Sequence, residues 1–223
     1  MSVPQRRYDL AGRLTAWTSP AGTVDYAWDA SGNRVGAGGK TATFDARNRL
    51  VHDCDRAYTH TPRGTLASRG DVTYEFDAFD QLVRAGDRTY AYDALDRLVQ
   101  RGSGRFTYAG LSDEPVSDGV EKYARGPSDD LLAVGDRIAI GDEHGDVVGA
   151  FLATDLALPR LTDTTTYDPF GKVVATTGDT GNLGFQGDWT DPDTGRVNMG
   201  ARWYDPTTGT FSSRDSVTQG GPG

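Results

Sequence analysis

The chain has few residues that hold metals or form disulfides. Cys54 is the only cysteine among 223 residues, so no disulfide can form within the chain. The three histidines, His52, His60 and His144, lie far apart and lack the spacing of a metal-ligand pair. We therefore expect neither a bound metal nor a cofactor.

Long apolar runs are also missing. No segment approaches the roughly 18 apolar residues that a membrane-spanning helix requires. The N-terminal sequence MSVPQRRYDLAGRL lacks the apolar stretch of a secretory signal. The sequence thus predicts no membrane span and no signal peptide in this chain.

Clusters of positive charge are absent as well. The formal net charge is −9, and acidic residues are interleaved with the arginines throughout the chain. A nucleic-acid surface needs a clustered basic face, so no nucleic-acid partner is expected. Hydrophobic residues make up 36%, and 29 glycines accompany them, which is typical of a folded chain that is rich in turns.

What the chain does contain is a repeat. An aromatic residue followed by aspartate returns after sixteen residues, as in Phe76-Asp77 and Tyr92-Asp93. A leucine follows five residues after the aspartate in most copies. Fixed self-similarity over a short period indicates a repeat architecture. The aromatic positions, which we expect to form the repeat core, are Tyr8, Trp28, Phe44, Phe76, Tyr92 and Tyr108.

Each copy is interpreted as a β-hairpin. Tyr74 and Phe76 alternate along one face of a strand, and Leu82 begins a second strand. Between the strands, an aspartate followed three residues later by Gly, Asn or Asp fits a type I turn. The period of two excludes a helix. The sequence therefore predicts an all-β fold of stacked antiparallel hairpins, which form a curved sheet or a partial shell with the aromatics on one buried face.

The acidic turn residues are expected to be structural. An aspartate oxygen that bonds the backbone of its own turn is far more common than a catalytic aspartate in a turn. Three of the turns are Asp-Pro turns, in which proline favours the second turn position. The predicted turn aspartates are Asp9, Asp29, Asp45, Asp77, Asp93, Asp168, Asp191 and Asp205.

The sequence divides into two parts. The sixteen-residue rhythm is expected to stop at about Val120, where short strands separated by Gly and Asp turns begin. We predict a hairpin array over residues 1–119 and a core region over residues 120–223. A calcium loop at Asp191 and Asp193 is rejected because further oxygen ligands are missing. An acid-base pair of Asp168 and Asp191 is rejected because both residues lie in Pro-Gly turns.

These segments resemble a known family. YDLAGRL, WDASGNR, FDARNRL, FDAFDQL and YDALDRL resemble the tyrosine-aspartate (YD) repeat. The stretch from YDPFGKV to FSSRDS resembles the signature of the Rhs repeat-associated core domain. Together the two resemblances extend over residues 6–215.

The resemblance implies a hollow shell of spiralling hairpins. In bacterial Rhs proteins and related toxin-complex subunits, such a shell encloses a C-terminal toxin polypeptide. This chain would be the C-terminal part of a shell, a non-catalytic piece of a polymorphic toxin whose parent protein is secreted or lies at the cell surface. The implied partners are the toxin polypeptide, further YD repeats of the parent and an immunity protein for the toxin.

The resemblance also implies an autoprotease residue. Many members release the toxin by aspartyl autoproteolysis with two aspartates, and Asp215 matches the first of them. Ser216 stands where the family has proline, and Thr210 stands where a basic residue is usual. The sequence stops at Gly223, ahead of the second aspartate. We expect this chain to be proteolytically inert, because aspartyl chemistry needs two carboxylates that share a proton.

Two other functions stay open. A carbohydrate-binding or contact module of the cell surface would place Trp189 and Trp203 in an exposed groove. An incomplete aspartyl autoprotease would gain activity in a longer form of the chain that supplies the second aspartate.

Overall fold

The computed structural model describes residues 5–155 and 161–215, which form strands and turns. The described part contains no α-helix, only two short 3-10 segments at Ala153–Asp155 and Phe185–Gly187. The strands of each sheet follow one another in sequence order, and their pairs are antiparallel. The prediction of an all-β array of antiparallel hairpins is confirmed.

The first half of the chain forms two sheets. The first sheet has six strands, β1 (Gln5–Tyr8), β2 (Leu14–Ser19), β3 (Gly22–Trp28), β4 (Arg34–Ala37), β5 (Lys40–Phe44) and β6 (Leu50–Asp53). The second has seven, β7 (Tyr58–His60), β8 (Leu66–Arg69), β9 (Val72–Phe76), β10 (Leu82–Ala85), β11 (Arg88–Tyr92), β12 (Leu98–Arg101) and β13 (Gly104–Arg105).

The second half adds three further groups of strands. A pair, β14 (Thr107–Tyr108) and β15 (Pro115–Ser117), precedes a six-stranded sheet of β16 (Tyr123–Arg125), β17 (Leu131–Val134), β18 (Arg137–Gly141), β19 (Val147–Leu152), β20 (Asp163–Tyr167) and β21 (Val173–Thr177). The last sheet has β22 (Trp189–Thr190), β23 (Val197–Met199), β24 (Arg202–Asp205) and β25 (Thr210–Phe211). We call strands β1–β21 the wall.

Each repeat contains two turns, as the copy at Asp77 shows. The backbone N–H groups of Phe79 and Gln81 donate to Asp77 Oδ1 over 2.8 and 3.0 Å, which closes a turn after β9. Asp80, at a φ of 62°, takes the left-handed conformation of the last turn residue at small cost. After β10, Gly86, at a φ of 57°, starts a two-residue turn into β11.

Strand irregularities fall at the repeat aromatics. The pairing register shifts next to these rings in most copies, because one strand of the pair carries an extra residue beside the acidic turn. A β-bulge of this kind bends its strand and increases the twist. The repeated bulge therefore bends every hairpin in the same way, as a curved wall requires. The shifts occur at Tyr8, Trp28, Phe44, His60, Tyr92 and Tyr108.

A row of buried residues runs along one face of the wall. Each repeat contributes an aromatic ring from one strand and a leucine from the next, because alternate residues of a strand point to the same face. The buried members of this row are Leu14, Tyr26, Leu50, Tyr58, Leu66, Tyr74, Leu82, Tyr90, Leu98 and Phe106.

The fully buried rings lie two residues before the aromatics that the sequence predicted as the repeat core. Trp28, Phe44, Phe76, Tyr92 and Tyr108 are only partly buried, because they lie at bulges beside the turns and line the margin of the buried row.

Tyr8 is a clearer correction to the predicted core. Its side chain is 57% exposed, and all four residues of β1 are exposed. β1 is an edge strand of its sheet, so it has a pairing partner on one side only.

Turns of the same type continue past Val120, although their spacing becomes uneven, with turns that begin at Gly126, Asp142 and Asp168. Asp129 and Gly145 both have a positive φ at the ends of acidic turns. The N–H groups of His144 and Asp146 donate to Asp142 Oδ1, as in the earlier repeats. The continuation is hidden in the sequence because Gly126 stands where the previous turn type has aspartate. The division into residues 1–119 and 120–223 stays a prediction.

Candidate functional site

The buried face of the wall is the candidate functional site, because the C-terminal part of the chain packs against it. We call residues 183–213, which contain β22–β25, the core segment. Leu183, Trp189 and Trp203 of this segment belong to the same hydrophobic cluster as wall residues from Leu50 to Val147. Leu183 is 0% exposed and Trp203 is 2% exposed. The core segment therefore covers the part of the buried row from Leu50 to Phe106.

Aromatic rings join the core segment to the wall. Tyr90 and Trp203 meet with ring centroids 5.1 Å apart, and Phe106 and Trp189 meet at 5.0 Å, both edge to face. The two tryptophans also contact each other at 6.1 Å. Such pairs contribute about 0.5–1.5 kcal/mol beyond the burial of their area. Trp189 and Trp203 are thus the apolar anchors of the core segment.

Tyr92, one of the predicted repeat aromatics, also reaches the core segment. The indole Nε1–H of Trp203 donates to the Tyr92 hydroxyl over 2.8 Å. Burial raises the pKa of Tyr92, so this hydroxyl stays protonated at neutral pH. The bond fixes the orientation of the Trp203 ring against the wall.

A buried carboxylate, Asp118, ties three parts of the chain together. Asp118 Oδ2 accepts hydrogen bonds from Tyr123 OH (2.7 Å), Asn182 Nδ2 (2.8 Å) and Trp189 Nε1 (3.0 Å). Burial by itself would raise the pKa of Asp118. The backbone N–H of Glu121 and the side-chain donors outweigh this effect and lower the pKa to about 2. The carboxylate is therefore ionised and fully bonded at neutral pH.

Two of the predicted turn aspartates pair with arginines of the wall. The Arg101 guanidinium lies 2.7 Å from Asp191 Oδ1, and Asp191 is 0% exposed. Asp205 Oδ2 lies 3.0 Å from Arg69 and 3.7 Å from Arg196. These aspartates close their own turns and also fix the position of the core segment along the wall.

Sequence reasoning missed both wall arginines. Arg69 and Arg101 each follow a repeat leucine by three residues, after Leu66 and Leu98, and the repeat between them has Ala85 at this position. An arginine at this position in two of the copies, on a strand that otherwise faces the core, is the signal that could have identified them.

A second set of polar contacts links successive turns along the rim of the wall. The side chain four residues after the turn aspartate bonds its own turn and then the next one. Arg97 donates to Asp93 Oδ2 over 2.7 and 2.8 Å and reaches the backbone oxygens of Gly110 and Ser112 in the following turn. Equivalent bonds to the next turn start from Arg13, Asn33, Arg49 and Gln81. We call this series the rim ladder.

The predicted turn aspartates of the wall hold the backbone of their turns. Each accepts two backbone N–H groups through Oδ1. The side-chain hydrogen bond from Arg49 lowers the pKa of Asp45, so that its carboxylate remains ionised well below neutral pH. The residues with this geometry are Asp9, Asp29, Asp45, Asp77, Asp93 and Asp168. Asp191 and Asp205 each accept one such bond as well.

The turn between β20 and β21 contacts the first repeats. Phe170 packs edge-on against Tyr26 at 5.1 Å, and the Arg34 guanidinium lies over the Phe170 ring at 4.1 Å. Tyr204 of the core segment donates its hydroxyl to Phe170 O over 2.9 Å. The wall therefore returns to its own beginning at this point, and the core segment bonds the junction.

Asp215, the residue matched to the first autoprotease aspartate, lies beyond the core segment. Its carboxylate is 3.3 Å from Arg202 and is half exposed. Ser216, the departure from the family motif, lies outside the described residues. Among the residues that the structure describes, no group of three or more His, Cys, Asp or Glu side chains is arranged to hold a metal ion. The same residues include no helix that could cross a membrane.

Comparison with solved structures finds toxin-complex proteins. The chain is 13% identical to a chain in a crystal structure of TcdB2-TccC3-TEV, with a TM-score of 0.35. The match covers 96% of this chain and 19% of the other. For a crystal structure of TcdB2-TccC3 the identity is 11% and the TM-score 0.32, with 96% and 21% covered. A chain in a structure of the Photorhabdus luminescens Tc holotoxin pore is 12% identical, with a TM-score of 0.34. This match covers 96% of our chain and 20% of that one. The chain thus spans about a fifth of the length of these proteins.

A search of curated proteins gives no match. The model of the Teneurin YD-shell family matches residues 3–108 and 155–219, which is most of the chain. The match includes the acidic turns from Asp9 to Asp93, the turn at Asp168 and the whole core segment. The chain belongs to the Teneurin YD-shell family.

Proposed function

We propose that this chain is part of a closed β-shell that houses the C-terminal toxin polypeptide of a parent protein. Membership of the YD-shell family gives the chain a structural role in a shell. The supporting observation is the buried row of the wall from Leu50 to Phe106, covered by a core segment that is anchored through Trp189 and Trp203. A core segment held in this way supports the buried face of the wall and leaves the opposite face of the wall uncovered.

The proposed mechanism is mechanical. The rim ladder sets the spacing of neighbouring hairpins, and the repeated bulges bend them in one direction. The ion pairs of Asp191 with Arg101 and of Asp205 with Arg69 hold the core segment in one register along the wall. No step of this mechanism is catalytic, and we propose that the chain has no enzymatic activity of its own.

The partners and the location belong to the same proposal. Further YD repeats of the parent would extend the wall from its edge strands, and the toxin polypeptide would lie inside. An immunity protein would bind the toxin in the producing cell. The parent would act after secretion or at the cell surface. In this scheme residues 1–119 supply wall and residues 120–223 supply both wall and core segment.

The test is protection of a C-terminal polypeptide in the parent protein. Proteinase K should leave that polypeptide intact in the native parent and digest it in the Asp191→Asn variant, because this change breaks the pairing of the core segment with Arg101. Asp87→Asn, at an exposed turn of the wall, is the matched control and should leave protection unchanged. Digestion of the polypeptide at the same rate in the native parent as in isolation would rule out encapsulation.

The carbohydrate-binding alternative loses its main support. Trp189 and Trp203 are 5% and 2% exposed, so neither ring is free to stack on a sugar. The groove that this function requires is filled by the wall itself.

The autoprotease alternative depends on residues beyond this sequence. A longer form of the chain, which supplies a second aspartate, should release a C-terminal fragment if Asp215 takes part in cleavage. Asp215→Asn would then abolish release. Release that survives this substitution would exclude Asp215 from the reaction.

A further inference from the structure

A cavity of about 380 Å³ lies between the first repeats of the wall and the end of the core segment. Its wall side includes the rings of Trp28, Phe44 and His60, and residues 208–214 close the other side. Pockets of this size accept small ligands or a few side chains of a polypeptide. Neither the rim ladder nor the anchoring of the core segment accounts for this space.

Positive charge is concentrated around the cavity. Among the described residues that line it, five are arginines, and Asp205 is the only one with a carboxylate side chain. Asp205 is already paired with Arg69 and Arg196. Such an excess is unexpected in a chain with a net charge of −9. The lining arginines are Arg34, Arg47, Arg49, Arg196 and Arg214.

Three of these arginines lack an acidic partner. Arg49 is paired with Asp45 at 2.5 Å. In the described part of the chain, by contrast, no carboxylate lies within ion-pair distance of Arg34, Arg47 or Arg214. Most other arginines that face a neighbouring strand or turn do have such a partner. The cavity therefore holds cationic groups without a direct ionic partner, and the charges of Asp168 and Asp205 act on Arg34 only from beyond ion-pair distance.

Arg34 is the most constrained of the three. Its guanidinium lies over the ring of Phe170 at 4.1 Å and donates one hydrogen bond, to Thr207 O at 3.1 Å. A guanidinium has five N–H donors, so most of its donors are available to a ligand. Burial lowers the pKa of Arg34, which shows that nearby groups do not fully offset its desolvation.

The chain makes room for Arg214 at the cavity. Gly64 has a φ of +98°, and a Cβ added there would lie 2.5 Å from Arg214 Cδ. The glycine thus lets the stem of Arg214 lie against the wall. His60 lines the same cavity. Its burial and, to a smaller extent, the positive charge of Arg49 lower the pKa of its imidazole.

We propose that this cavity binds an oxyanion, with Arg34, Arg47 and Arg214 as its ligands. Guanidinium groups match the geometry of carboxylate and phosphate oxygens, and they bind them with strong charge-assisted hydrogen bonds. The aromatic rings of the cavity supply apolar contact for the group that carries the anion. The oxyanion comes either from acidic side chains of an enclosed polypeptide or from a free small anion. The site belongs to this chain whether or not the shell encloses a toxin.

The experiment separates the two sources with defined probes. A fluorescein-labelled hexaglutamate peptide is titrated with the chain and followed by anisotropy, and a hexaglutamine peptide serves as the neutral probe. Inorganic pyrophosphate is then tested by calorimetry and as a competitor. Arg47→Gln with Arg214→Gln should weaken binding at least about tenfold, because two of the three proposed ligands are removed. Both side chains are exposed, so the fold should be retained, which the urea unfolding midpoint checks.

Arg105→Gln is the matched control, because Arg105 is exposed and does not line the cavity. Its affinity should equal that of the unmodified chain. Binding of pyrophosphate that is lost in the double variant supports a site for free anions. Binding of hexaglutamate alone, lost in the same variant, supports a site for acidic side chains. If neither probe binds, or if the double variant binds as the control does, the proposal is wrong.

Discussion

The rim ladder and the contact between wall and core segment use the same pair of residue types at different depths. In the ladder, Arg97 pairs with Asp93 four residues away, and their side chains are 14% and 26% exposed. Between wall and core segment, Arg101 pairs with Asp191 across ninety residues of sequence, and the Asp191 side chain is 0% exposed. We call the second set of contacts, with Trp189, Trp203 and Asp118, the seam.

The difference separates spacing from assembly. A partly exposed ion pair between near neighbours contributes less to stability, since water and salt screen it. Loss of one partner from a buried pair is costly because it leaves an uncompensated charge. The ladder therefore sets the interval between hairpins, whereas the seam determines whether the core segment stays on the wall.

Removal of a seam anchor should have the largest effect. Trp203→Ala is expected to lower the free energy of unfolding by about 3–5 kcal/mol, because it deletes a fully buried ring and leaves a cavity. Phe79→Ala, at a ring that is 79% exposed on the rim, should change it by less than about 0.5 kcal/mol. Urea unfolding measures both. Equal effects of the two changes would contradict the distinction between seam and rim.

The two ion pairs allow a direct comparison. Arg101→Met alone should cost about 3 kcal/mol, and Asp191→Ala should cost less because Asp193 stays paired with Arg101. The double variant should cost clearly less than the sum of the two. The same cycle with Arg97→Met and Asp93→Ala should give a coupling free energy of about 0.5 kcal/mol. Chemical denaturation of all six variants provides the two coupling free energies. A larger coupling free energy for Arg97 and Asp93 than for Arg101 and Asp191 would show that the rim, and not the seam, holds the stronger ion pair.

The seam should also be sensitive to acid through Asp118. Its pKa is lowered to about 2 in the folded state, against about 3.9 in an unfolded chain. A lowered folded-state pKa stabilises the protein above the unfolded pKa, and this contribution is lost as the pH falls from about 4 to 2. The loss should amount to about 2 kcal/mol.

The check is a series of urea unfolding curves over this pH range for the chain and for Asp118→Asn. The variant is less stable at neutral pH and should lack this part of the pH dependence. A variant whose stability falls as steeply with acid as that of the unmodified chain would show that Asp118 is not the titrating group.

A single turn of the rim should have the smallest effect. Asp77→Ala removes the acceptor for two backbone N–H groups and should cost about 1 kcal/mol. Asp87→Ala, in the exposed two-residue turn of the next hairpin connection, should be close to neutral. Thermal unfolding followed by circular dichroism compares the two. A larger loss of stability in Asp87→Ala than in Asp77→Ala would show that the hydrogen bonds to Asp77 do not stabilise the hairpin.

The features that the sequence could predict are local ones. Asp77, Asp80 and Leu82 specify a turn and the start of a strand within a few positions, so one copy is enough to predict the hairpin. The period follows from comparing the copies. The wall was therefore predictable as an architecture. The continuation past Val120 was not, because Gly126 keeps the backbone of the turn without the aspartate that marks it.

The seam was out of reach for a different reason. Nothing in the sequence around Asp191 names Arg101 as its partner, because the pairing depends on how the whole wall curves. The exact buried row was missed as well. The bulges at Trp28, Phe44 and Tyr92 move these rings to the margin, and a bulge is a property of the strand pair rather than of one strand.

The most direct test of the seam is a nuclear Overhauser measurement on the indole of Trp203, assigned by comparison with Trp203→Phe. We expect cross-peaks from this indole to the ring of Tyr90, whose centroid is 5.1 Å from that of Trp203, and slow solvent exchange of the Trp203 Nε1–H, which donates to Tyr92 OH over 2.8 Å. A Trp203 indole that exchanges rapidly and shows no cross-peak to any tyrosine of the wall would contradict the account.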